Sequence, residues 1–75
     1  MRSGSGWPVV EVTVNGERHS VSEGATILEL LAELGIDPSR VAIEFNREIL
    51  PREHWGATHL HGGEQLEIVQ FVGGG

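Results

Sequence analysis

The sequence predicts an α+β domain in which one helix lies over one face of a five-stranded mixed sheet. Three observations carry this expectation. Apolar residues alternate with polar ones at both ends of the chain, one stretch between them has a helical stripe, and turn signals separate the pieces. Seventy-five residues make one domain, with 1–8 as a flexible leader, 9–72 as the folded body and 73–75 as a flexible C-terminal glycine tail. A chain this short hides only about 60% of its unfolded surface. A deep catalytic cleft is hard to build at that size.

The first strand is "VVEVTV", in which Val10, Val12 and Val14 alternate with Glu11 and Thr13. Asn15-Gly16 follows, and both residues tolerate the positive φ of a type I′ turn. The return strand "ERHSV" then sets Val14 against Glu17, Val12 against His19 and Val10 against Val21. Thr26 is placed as a helix N-cap, and Glu29 three residues on completes a capping box. Ile27, Leu30, Leu31 and Leu34 form the apolar stripe, with Glu29 and Glu33 on the wet side. Gly35 ends the helix in the left-handed conformation, Ile36 folds back on the last turn, and Asp37-Pro38 forbids continuation. Residues Arg40 to Phe45 alternate as a third strand. Asn46-Arg47 is a turn, and "EIL" is a short fourth strand stopped by Pro51. The stretch after Pro51 is irregular, with one helical turn around Arg52 to Trp55 and a turn at Gly62-Gly63. The last strand, "EQLEIVQFV", has Leu66 and Ile68 on one side and Val69 and Phe71 on the other. It is apolar on both faces over Ile68 to Val72, which predicts a central position. The order ββαβββ with a central last strand is the β-grasp arrangement, in which the first and last strands run parallel and the tail projects from the body.

Composition narrows the function. Ten Glu and one Asp against five Arg give a formal charge of −6, which argues against nucleic acid and toward basic surfaces on protein partners, or simply toward solubility as a monomer. With no cysteine, the chain has no disulfide and no thiol to hold sulfur or an acyl group. No apolar run marks a secretory or membrane segment, so a cytoplasmic protein without membrane contact is expected. His54, His59 and His61 cluster in sequence, but their spacing fits no helix and no cysteine supports them. No metal site is expected. Nothing supplies a pocket with a nucleophile, so the chain is not read as an enzyme.

The ending "FVGGG" bears the chemistry. An α-carboxyl group has an ordinary pKa of about 3.5, so it is an oxygen nucleophile at neutral pH. Side-chain-free Gly73, Gly74 and Gly75 can thread a narrow slot into a partner's active site. Attack of the Gly75 carboxylate on the α-phosphate of ATP gives an acyl adenylate open to sulfur, nitrogen or oxygen. A frayed terminus is the competing account. The chain also has no lysine, so an activated terminus meets no internal side-chain amine. Drift toward arginine explains the same fact. Val69 and Phe71, with Val72, flank the exit of the tail on the face the helix leaves uncovered. They are expected to dock the partner, unless the loop at Trp55 and Leu60 packs over them. Arg47 and Arg52 are possible pairs for acidic partner groups.

The stretch "VAIEFNREILPREHW" and the ending "LHGGEQLEIVQFVGGG" resemble the ThiS family of thiamine-biosynthesis sulfur carriers, which are ubiquitin-like proteins. The likeness runs from about Val10 to Gly75. It implies that an E1-like adenylating enzyme, using ATP and magnesium, activates Gly75. A sulfur-donor relay of the cysteine desulfurase type then makes a thiocarboxylate, and thiazole synthase takes up its sulfur. The chain itself would bind no cofactor. The alternatives are the small subunit of molybdopterin synthase, a ubiquitin-like protein modifier, and an interaction module with an idle tail.

Overall fold

The computed structural model describes residues 8–71. The leader up to Trp7, and Val72 with the tail 73–75, lie outside the described residues. β1 (Val9–Val14) and β2 (Glu17–Ser22) form the opening hairpin, α1 (Ile27–Leu34) crosses, and β3 (Val41–Phe45), β4 (Glu48–Ile49) and β5 (Gln65–Gln70) complete the sheet. The spatial order is β2-β1-β5-β3-β4. β1 and β5 pair in parallel, and every other neighbouring pair is antiparallel. The last strand is therefore central and the β-grasp arrangement is observed.

Local signals act as expected. The hairpin pairs Val14 with Glu17, Val12 with His19 and Val10 with Val21. Asn15 and Gly16 take φ of 51° and 84°, as a type I′ turn requires. In the capping box, the Thr26 N–H donates to Glu29 Oε1 at 2.8 Å and the Glu29 N–H donates to Thr26 Oγ1 at 3.2 Å. Gly35 closes the helix at φ 73°, and the Ile36 N–H reaches back to the Leu31 carbonyl at 2.9 Å. This satisfies helix carbonyls that would otherwise lack donors.

Some boundaries differ. The third strand begins at Val41 and not Arg40, because Pro38–Arg40 form a 3₁₀ turn. Asp37 Oδ1 caps that turn, accepting from the Ser39 N–H at 2.9 Å and the Ser39 hydroxyl at 2.8 Å. Asp37-Pro38 thus starts an element as well as ending one, since proline's fixed φ suits a first helical position. β4 stops at Ile49, although the Leu50 N–H still donates to the Ile43 carbonyl at 2.9 Å.

The core lies between α1 and one sheet face. Ile27, Leu30 and Leu31 meet Val12, Val14, Val21, Val41, Ile43, Leu66 and Ile68. Trp55 and Leu60 close its end, with Trp55 1% exposed and its Nε1–H donating to the Leu50 carbonyl at 2.9 Å. No helix of the described residues is long and apolar enough to cross a membrane.

Candidate functional site

Side chains alternate across a strand, so burying Leu66 and Ile68 against α1 turns Val69 and Phe71 to the opposite face. There they are 53% and 60% exposed. Trp55 and Leu60 fill the helix side and leave both residues uncovered. Val69 stands opposite Ala42 on β3. The Phe71 N–H donates to the Arg40 carbonyl, just before β3, at 2.9 Å, so backbone bonding on the β3 side is kept to the last described residue. Ile49, 77% exposed, sits on the same face opposite Glu44, and Glu44 in turn faces Glu67. The uncovered face therefore has an apolar end beside the base of the tail. Its other part carries two carboxylates directly opposite each other. Thr13, Gly16, Arg47 and Gln65 line a shallow cleft with those carboxylates. The remaining site residues named from the sequence, Val72, Gly73, Gly74 and Gly75, lie outside the described residues.

The two arginines separate. Arg47 lies in the β3–β4 turn at φ 73°, a left-handed conformation that a residue with a Cβ adopts at a cost. Arg52 turns inward. Its guanidinium donates to the Pro38 carbonyl and, at 3.4 Å, to the Val41 carbonyl, and it lies 4.9 Å over the Trp55 ring. Arg52 thus ties the loop after β4 to the start of β3, the strand that holds Phe71. The histidines also separate. His59 Nδ1 lies 2.7 Å from the Gly24 carbonyl, and His59 bridges to Thr26, so this imidazole secures the entry to α1.

Sequence reasoning missed two side chains that hold the central strand. Both are the first residues of hairpin turns, Asn15 at φ 51° and Asn46 at φ 50°. Asn15 Nδ2–H donates to the Ile68 carbonyl at 3.2 Å, and the Ile68 N–H donates to Asn15 Oδ1 at 2.7 Å. On the other side, the Gln65 N–H donates to Asn46 Oδ1 at 3.0 Å, and the Asn46 N–H donates to the Gln65 carbonyl at 2.7 Å. Asparagine tolerates the left-handed turn, which is why both were legible as turn residues. The amide's second task depends on a strand some fifty or twenty residues away, and no local signal announces it.

The fold and the placement of the exposed face can be set beside known proteins. The model of the ThiS family matches residues 9–75, almost the whole chain. The chain belongs to the ThiS family. Among solved structures, the crystal structure of the thiamine biosynthesis protein ThiS from Geobacter metallireducens superposes with a TM-score of 0.76 at 36% identity, covering 88% of this chain and 100% of that one. The sulfur carrier protein ThiS of Escherichia coli is 29% identical over 66 residues, 88% of this chain and 100% of the relative. A thiazole synthase of Paramagnetospirillum magneticum is 41% identical over 66 residues, again 88% of this chain. The chain spans only 20% of that thiazole synthase's length, so the ThiS-like stretch is a small part of a longer polypeptide there.

Proposed function

We propose that this ThiS-family chain is a sulfur carrier for thiazole formation in thiamine biosynthesis, and that the carried group rides on the carbonyl of Gly75. The observation that bears most weight is the family match, which runs through the glycine tail to Gly75 over a fold whose central strand leads into that tail. A partner adenylating enzyme, with ATP and magnesium, is the source of activation. The carboxylate oxygen attacks the α-phosphorus, pyrophosphate leaves, and Gly75 becomes an acyl adenylate. A persulfide of a cysteine desulfurase-type relay then attacks the acyl carbon and displaces AMP, and a thiol of the relay cleaves the S–S bond of the resulting acyl disulfide, leaving a disulfide on the relay and a thiocarboxylate whose sulfur passes to thiazole synthase. The chain's part is that of a carrier and not of an enzyme.

Physical features of the body support this reading. With no cysteine in the chain, the terminal carbonyl is the natural attachment point for sulfur. Val69 and Phe71 are apolar, exposed and next to the base of the tail, which suits a docking surface continued by Val72. A partner seated there would have Gly73, Gly74 and Gly75 directed into its active site. Similarity to a stretch of proteins named thiazole synthase favours that enzyme as the acceptor.

The test is an intact-mass measurement. The protein is mixed with its host's adenylating enzyme, ATP, magnesium and a sulfur source. A carrier gains the mass of one oxygen-to-sulfur exchange, and the gain disappears when Gly75 is deleted or followed by one added alanine. An unchanged mass under conditions that load a known ThiS removes the reading.

A further inference from the structure

We propose that Asn15 is a positioning residue for the C-terminal arm: its side chain ends the β1–β5 ladder at Ile68 and so anchors the central strand on its β1 side just before the segment that leads into the arm. The inference rests on the carrier reading above and adds a residue 53 positions away from the strand it holds.

The register carries the argument. β1 runs parallel to β5 and pairs Thr13 with Gln65 and Val14 with Leu66, after which the hairpin turns back at Asn15-Gly16. The Asn15 N–H donates to the Leu66 carbonyl at 2.9 Å, the last main-chain bond on that side among the described residues. The side-chain amide then takes over. It presents one donor and one acceptor to Ile68, in the manner of the next residue of a strand. Ile68's N–H and C=O therefore point toward β1. Two residues on, Gln70's point the same way, past the tip of the hairpin. Among the described residues beyond Ile68, the strand is held from the β3 side alone, through Ala42↔Val69, Val41↔Gln70 and the Phe71 bond to Arg40.

Asn15 is thus the final anchor on one side of the segment that carries Val69 and Phe71 and leads into the arm. Holding that segment extended before the partner arrives lowers the ordering cost of docking. The chemistry at Gly75 is unaffected once the arm is seated. Losing the anchor therefore raises KM for the carrier and leaves kcat near its normal value.

Asn15→Gly is the informative variant, because glycine suits φ 51° and preserves the turn while removing the clamp. Asn46→Gly is the matched control. It has the same turn geometry and also loses an amide contact to β5, but at Gln65, where the strand enters. Adenylation is followed by ATP–pyrophosphate exchange with the host's adenylating enzyme at varied carrier concentration. Amide hydrogen exchange is read at Ile68, Val69 and Phe71. The expected result for Asn15→Gly is a KM increase of about tenfold, equivalent to losing one or two net hydrogen bonds, with kcat within about twofold and faster exchange over Ile68–Phe71. Asn15→Asp, which keeps the acceptor for the Ile68 N–H, falls between. Asn46→Gly keeps the normal KM. An unchanged KM in Asn15→Gly, or an equal rise in both glycine variants, overturns the proposal. A wild-type protein that supports no exchange at all refutes the carrier reading instead. Hydrogen exchange then decides the structural half: unchanged protection over Ile68–Phe71 in Asn15→Gly overturns it.

Discussion

Phe71→Ala should separate the proposed docking face from the core. Phe71 is 60% exposed, so it realises about two-fifths of the burial open to a phenylalanine. Full burial stabilises by about 1.5–3 kcal/mol, so truncation costs about 1 kcal/mol of fold stability. Leu66, on the same strand but the other face, is 1% exposed. Its truncation to alanine removes buried methyl groups and leaves a cavity, at a cost of about 3 kcal/mol. The ranking reverses for partner binding. An aromatic anchor in an interface contributes about 2 kcal/mol or more, so Phe71→Ala should raise KM for loading roughly 30-fold. Urea unfolding gives the stability difference, and initial rates of thiocarboxylate formation against carrier concentration give KM. Normal loading by Phe71→Ala would refute the docking role of this face. A stability loss as large as that of Leu66→Ala would refute the burial on which the argument stands.

Arg47→Gly should stabilise the protein by about 0.5–1 kcal/mol, because relief of the left-handed conformation at φ 73° outweighs glycine's entropy cost; a rise in urea midpoint checks it. Trp55→Phe should cost about 2 kcal/mol, since it leaves the Leu50 carbonyl without its 2.9 Å donor and weakens the stacking under Arg52. Thermal unfolding measures that loss. Thr26→Ala should cost about 1 kcal/mol by removing half of the capping box, again read from the unfolding midpoint. The Asp37 carboxyl should titrate below the ordinary carboxylate range. The Ser39 N–H is the main cause, followed by the Ser39 hydroxyl and the charges of Arg40 and Arg52. A depressed folded-state pKa means that the cap stabilises above the unfolded-state value and is lost as pH falls through the folded one, which an NMR titration of the Asp37 carboxyl resolves.

Much of this molecule was legible because its signals are local. Thr26 and Glu29 read as a capping box, Gly35 as a helix stop, and Asn15-Gly16 as a two-residue turn. Each depends on backbone geometry within four or five residues. The centrality of β5 was legible too, from apolar residues on both of its faces. The exposure of Val69 and Phe71 followed from period two once Leu66 and Ile68 were assigned to the core.

The sequence by itself determined the elements, their order, the single apolar stripe of α1, the glycine ending and the absence of any thiol. Tertiary structure alone decided the roles of polar side chains whose partners are distant. Arg52 looked free and is bonded to carbonyls at the start of β3. His59 read only as one of three histidines close in sequence, and it secures the helix entry through Gly24. Asn15 and Asn46 looked like turn residues and also clamp the central strand from both sides. Hydrophobic periodicity is written along the chain because burial depends on which face a residue occupies. A hydrogen bond depends on where one other atom stands, and only the folded arrangement brings Asn15 to Ile68.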